Sequence, residues 1–158
     1  MRKQIIEPAQ PRIALVEPNW LDLEQLVQLE LTSEAETHLI EAAFTPNENE
    51  GWRAGQPGKQ TIRLIFEEPH HIKQIRVVFQ ELAQARTQEF LLSWLSADGL
   101  SYQEIVRQQY NFNPPATCQQ VEEYTVDLKA VKALELTINP DISNPGAYAS
   151  LAHLQLGG

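Results

Sequence analysis

At 158 residues, with 42% hydrophobic and 21% charged side chains, the chain has the size and composition of one globular domain, which excludes a disordered tail or a membrane span. Twelve Lys and Arg against 21 Asp and Glu give a formal net charge of -9, and because the basic residues are scattered, neither nucleic acid nor an anionic membrane is an expected partner. Cys118 stands alone and forms no intrachain disulfide, and the Arg2-Lys3 start runs into Ile5-Ile6-Glu7-Pro8, too short and interrupted for a signal-peptide core; both features fit a reducing cytoplasm.

Residues 1–20, with prolines at 8, 11 and 18, are expected as an extended N-terminal arm that Trp20 anchors, and residues 21–158 as the domain. Residues 21–26 fit one turn of helix. Val27, Leu29 and Leu31 alternate with Gln28 and Glu30, which predicts a half-buried strand. Ile62, Leu64 and Phe66 predict another, ended by Glu67-Glu68-Pro69 because proline cannot donate to a ladder. Ile75, Val77 and Phe79 make the next. Phe90, Leu92 and Trp94 alternate with Leu91, Ser93 and Leu95, so this strand is expected to be central, with Trp94 in the core. Asp98-Gly99 then predicts a hairpin turn through positive φ.

Beyond the turn come residues 102–106, a loop around Asn113-Pro114-Pro115, and alternating segments at Tyr124, Val126 and Leu128 and at Leu134, Leu136 and Ile138, closed by residues 149–156. No stretch after Leu31 holds an apolar 3.6-residue period for more than two turns, so helices should be few and short. Short strands bounded by turn residues predict an all-β jelly-roll β-sandwich.

The order of elements is similar to the discoidin domain, or coagulation-factor type C domain, of the galactose-binding-like superfamily, over residues 21–156. Ala43-Phe44-Thr45-Pro46 leading to Gly51-Trp52-Arg53-Ala54 carries the resemblance, with residues 60–66 followed by 72–77, Ser96-Ala97-Asp98-Gly99, and the pair Leu134-Glu135-Leu136 and Ala149-Ser150-Leu151. Residues 86–90, 107–112 and 139–141 look like a bacterial subgroup described as carbohydrate-binding. The resemblance implies a binding module whose ligand loops cluster at one end of the sandwich. Extracellular members tie the ends of the domain with a disulfide; no cysteine pair exists here, which implies a cytoplasmic offshoot held by its core.

Three loops are then candidates. Residues 45–59 carry Asn47, Glu48, Asn49, Glu50, Trp52 and Arg53, a mix that suits a sugar: an aromatic face covers the C–H side of a pyranose while carboxylates, amides and Arg donors meet its hydroxyls. Trp52 equally fits packing on the sandwich end. Residues 82–88 hold Arg86, where related lectins often supply an arginine; it suits a clamp on hydroxyls or carboxylate, or an ion pair with Glu81 or Glu89. Residues 139–148 add Asp141, Asn144 and Tyr148 on a segment stiffened by Pro140, Pro145 and Gly146. The expected ligand-binding set is Glu50, Trp52, Arg53, Arg86, Asn144 and Tyr148.

Neither cofactor nor metal is expected. Related domains hold a structural calcium near the first loop; residues 45–51 offer oxygen donors without the aspartate pattern, which leaves calcium there an open but unfavoured reading. His70 and His71 point to opposite faces of an extended segment, and no Cys or carboxylate triad joins them or His38. Catalytic signatures are missing too: there is no Gly-x-Ser-x-Gly, phosphate-cradling glycine loop or His-Glu-x-x-His, and Glu122-Glu123 face opposite ways. The expectation is a non-catalytic module for a carbohydrate, a small glycan or polyol; the alternative is a cytoplasmic protein–protein interaction or scaffolding module using the same loop end.

Overall fold

Alternation of apolar and polar residues at 62–66, 75–79 and 134–138 builds the two layers of the protein. The computed structural model describes residues 2–3, 19–45 and 51–158, so most of the expected arm, and Glu50, lie outside the described residues. A single helical turn, α1 (Leu23–Leu26), leads into β1 (Val27–Leu31), and a 3-10 turn follows at Ile40–Ala43. The remaining strands are β2 (Trp52–Pro57), β3 (Gln60–Gln80), β4 (Arg86–Ser96), β5 (Gln103–Phe112), β6 (Gln119–Asn139), β7 (Tyr148–Leu151) and β8 (His153–Gly157).

The antiparallel pair β3–β6 is the spine, running from Gln60↔Ile138 to Gln80↔Gln119 with register shifts between Ile65 and Gln74. Its first half joins β1, β4 and β5 in the order β1-β3-β6-β4-β5, while the second half of β3 pairs β8. Bending of this shared pair lays one layer on the other, and Phe79 meets Phe90 across the interior at 5.1 Å between ring centroids. Ile62, Leu64, Ile75, Val77, Leu92, Leu134, Leu136 and Ile138 are fully buried between the layers, each contributing about 1.5–3 kcal/mol of transfer free energy.

Three expectations are corrected here. The segments 62–66 and 75–79 are one strand, as are 124–128 and 134–138; Glu67 to Pro69 pair with no described residue of the ladder, and at that register shift the missing proline N–H costs nothing. Asp98-Gly99 does sit in the β4–β5 hairpin, but without positive φ. Gly99 donates its N–H to the Ser96 carbonyl at 3.1 Å, the fourth position of a turn where glycine is common. Trp94 is half-buried and packs against the core from its margin.

Strain sits at the β3–β6 bend. Ala130 has φ +55°, the left-handed region that costs an L residue about 1–2 kcal/mol, and its carbonyl accepts the Ala97 N–H at 2.8 Å. Ala130→Gly relieves that strain against about 0.4–1 kcal/mol of added unfolded-state entropy. Differential scanning calorimetry should therefore show a Tm raised by about 1–4 °C; a lower Tm would mean that the methyl group packs productively.

The bend places chain ends and loops at opposite poles. At one pole the Leu21 N–H reaches the Leu156 carbonyl at 2.8 Å and the Gly158 N–H reaches the Asn19 carbonyl at 3.0 Å, while Trp20 bridges to Gly157. At the other pole lie loops 81–85, 113–118 and 140–147, with the β2–β7 ribbon beside them: Trp52 faces Leu151, Arg53 faces Ser150 and Pro57 faces Tyr148. Gly51 makes the ribbon's entry possible. Its φ is +76°, and a Cβ there would stand 2.2 Å from the Leu151 carbonyl oxygen, closer than any side chain permits.

Candidate functional site

Loop 81–85 is shaped by its own first residue. The Glu81 carboxylate accepts the backbone N–H of Ala83 at 3.0 Å and of Gln84 at 3.4 Å, while its other oxygen accepts Arg86 Nε at 2.7 Å. Burial pushes the Glu81 carboxyl up, but Arg86 and these N–H groups outweigh it and hold the group below its ordinary value. Nη1 of Arg86 donates to Gln88 Oε1 at 2.9 Å and to the Pro140 carbonyl at 2.8 Å, and the guanidinium lies 4.7 Å above the centre of the Phe112 ring. One buried side chain thus knits together β3, β4, the end of β5 and the start of loop 140–147. Its Nη2 is buried and, among the described residues, has no hydrogen-bond partner.

Loop 140–147 is fixed by short-range bonds. Asp141 accepts the N–H and hydroxyl of Ser143 at 3.1 and 2.9 Å, and Asn144 Oδ1 accepts the Gly146 N–H at 2.9 Å, turns typical of Asx side chains. Burial raises the Asp141 carboxyl, yet the Ser143 donors and the nearby Arg86 charge hold it below its ordinary value. The Ile142 N–H to the Thr87 carbonyl at 2.9 Å and the Gly58 N–H to the Ala147 carbonyl at 2.8 Å tie the loop to β4 and to the β2–β3 turn.

Between these loops and the ribbon lies a cleft of about 270 Å³ bordered by Arg53, Glu81, Gln84, Arg86, Ala147 and Tyr148. A smaller hollow of about 200 Å³ shares Arg53, Glu81 and Ala83 with it. Arg53 is exposed and Tyr148 is 48% exposed. The cleft therefore offers a guanidinium and an aromatic face on a floor formed by the Arg86–Glu81 pair.

Of the sequence-predicted residues, the structure brings Arg53, Arg86 and Tyr148 together. It separates Trp52 and Asn144 from them. Trp52 is corrected: it is fully buried, with Nε1 donating to the Ser33 carbonyl at 3.1 Å, and presents no face for stacking. Between the two roles open for Arg86, the structure shows the ion pair with Glu81, and the side chain is 2% exposed with Nη2 itself buried. Asn144 is exposed and does not border the cleft; its side-chain oxygen holds the loop turn. Glu50 lies outside the described residues, as do residues 46–50 of the stretch weighed for calcium. Sequence reading missed Gln84 and the turn-forming part of Glu81. A carboxylate at the mouth of a short loop was the available signal.

Other hollows among the described residues are less suited to a ligand. One of about 680 Å³ lies on the outer face of β1, β3 and β6, where Arg63 is held by Glu30 at 2.7 Å and Glu135 at 2.9 Å and the charges satisfy one another. One of about 320 Å³ lies between Trp20, the α1 turn, Phe44 and β8, at the chain-end pole. Of the histidines, His70 packs on Phe66 at 5.0 Å and His71 pairs with Asp127. Among the described residues, no group of three or more His, Cys, Asp or Glu stands together as a metal-ion site.

No protein-family profile matches the chain, and no curated protein matches it in sequence. Solved structures do share its fold. The family 32 carbohydrate-binding module of Clostridium perfringens NanJ, solved with galactose, is 14% identical with a TM-score of 0.66, the match covering 89% of this chain and 98% of that one. A third family 32 module from a family 31 glycoside hydrolase of the same organism is 17% identical at TM-score 0.63, covering 88% and 94%. The family 32 module of AlyQ, solved with 4,5-unsaturated mannuronic acid, is 18% identical at TM-score 0.59, covering 83% and 94%. The chain thus has the discoidin-like, galactose-binding-like β-sandwich fold expected from its sequence.

Proposed function

We propose that the chain is a non-catalytic carbohydrate-binding module that holds one sugar ring of a small glycan in the cleft between loop 81–85 and the β2–β7 ribbon. The observation that carries this reading is the placing of a half-exposed tyrosine and an exposed arginine in one cleft at the loop pole. An aromatic face for pyranose C–H groups beside directional polar donors is the chemistry a sugar requires. The shared fold with modules solved holding galactose and an unsaturated mannuronic acid supports it. Catalysis is not favoured, because the cleft's one carboxylate, Glu81, is committed to Arg86 and to two backbone N–H groups, and glycoside hydrolysis ordinarily requires a facing pair of carboxyls.

Titration of the ¹⁵N-labelled protein with simple sugars tests the reading. Millimolar sugar should shift the amide resonances of Arg53, Gln84 and Tyr148. Tyr148→Ala should weaken binding about tenfold, equivalent to about 1.4 kcal/mol, while unfolding stability stays within about 0.5 kcal/mol, as for other surface substitutions. Silence of these resonances across a panel of hexoses, N-acetylhexosamines and uronic acids would sink the carbohydrate reading.

A further inference from the structure

We propose that the sugar this cleft takes carries one carboxylate, so that its ligand is a uronic acid or the uronic acid end of a glycan, with Arg53 as the residue that selects it. The inference rests on the carbohydrate reading above and narrows it to a class.

Charge is the first argument. Arg63, Arg76, Arg86 and Arg107 each pair with a carboxylate of the protein. Arg53, the fifth arginine of the 21–158 region, makes no ion pair with any described residue, although the chain carries 21 acidic side chains. Within the cleft Arg86 and Glu81 cancel at 2.7 Å, which leaves the site with the single positive charge of Arg53. A protein of net charge -9 thus presents a locally cationic cleft, suited to one anionic group.

Hydrogen-bonding capacity gives the same answer. The Arg53 fork only donates, while the Gln84 amide and the Tyr148 hydroxyl each offer a donor and an acceptor. The charged acceptor of the cleft is already committed. Glu81 already receives three N–H bonds, and the Ala147 carbonyl receives the Gly58 N–H. A neutral hexose presents hydroxyls, each of which donates as well as accepts, whereas a carboxylate only accepts and matches a planar guanidinium in bidentate fashion. The cleft volume of about 270 Å³ suits one ring.

Matched sugar pairs differing only at C6 decide it: galactose against galacturonate, glucose against glucuronate, and mannose against mannuronate, each titrated calorimetrically into the full chain at low salt, with acetate as a control. In at least one pair the uronate should bind at least tenfold tighter than its neutral partner and than acetate, and the advantage should shrink as salt is added. R53Q should bring that pair within twofold while its melting temperature stays close to that of the parent. If the neutral sugars bind as well as the uronates, or if R53Q keeps the preference, the carboxylate assignment fails and the carbohydrate reading stands. If no sugar of either kind binds, or acetate binds as tightly as the uronate, both readings fall.

Discussion

Arg86→Ala is expected to cost about 3–5 kcal/mol of folding stability, the loss typical when one partner of a buried ion pair is removed. The Arg86 side chain is 2% exposed and that of Glu81 11%, so solvent screens the pair little. Truncation leaves Glu81 with only the Ala83 and Gln84 N–H groups, strips Gln88 Oε1 and the Pro140 carbonyl of their donor, and opens a void over Phe112. Urea unfolding at neutral pH measures the loss, and a variant within about 1 kcal/mol of the parent would show that the knot is not structural.

The same pair predicts an acid response whose sign can be worked out. Glu81 and Asp141 are both held below their ordinary values of 4.5 and 3.8, and in both cases Arg86 contributes to the lowering. A carboxyl with a depressed folded-state pKa adds stability that is fully present above its unfolded value and is lost as pH falls through its folded one. The parent should therefore lose stability on acidification below about pH 4.5. Arg86→Ala, starting from a lower plateau, should lose less over that range.

Trp52→Ala is the second large effect, at about 3–5 kcal/mol for removal of a fully buried aromatic. The indole fills the junction of β2 with the core, and its Nε1–H satisfies the Ser33 carbonyl at 3.1 Å. Trp52→Phe keeps much of the packing but orphans that carbonyl, at a cost of about 1–3 kcal/mol. Sugar affinity distinguishes this role from a stacking platform: Trp52→Phe should lower the unfolding midpoint and leave sugar affinity within a fewfold of the parent, whereas a platform residue would show the opposite pattern.

Much of the architecture was legible in the sequence because it depends on local period. Val27 to Leu31 reads as a strand and is β1 to the residue; Ile62, Leu64 and Phe66, Ile75, Val77 and Phe79, and Leu134, Leu136 and Ile138 read as inward-facing sets and are buried. Strand ends were less legible. Pro69 signals a break in the sequence, yet the chain carries it through a register shift, since a bulge removes the need for the N–H that proline lacks. The site followed the same division. Its three segments, 45–59, 82–88 and 139–148, were identifiable as polar stretches, while the placing of Arg53, Arg86 and Tyr148 on strands β2, β4 and β7 was not.

What the sequence by itself determined is therefore the all-β class, most of the core and the loops that carry polar and aromatic side chains, because these follow from two-residue alternation and from turn chemistry acting over a few positions. Tertiary structure alone decided that β3 and β6 bend as one pair and bring loops 81–85 and 140–147 to the same pole. It also decided that Trp52 turns inward toward Ser33 while Tyr148, on the partner strand, remains half-exposed. Arginine shows the physical reason. Arg53 and Arg86 are the same residue type on two candidate loops, but a guanidinium becomes structural or available according to whether the fold sets a carboxylate against it. Glu81 stands 2.7 Å from Arg86, no described carboxylate pairs with Arg53, and that difference of partners makes one the floor of the cleft and leaves the other's charge open to a ligand.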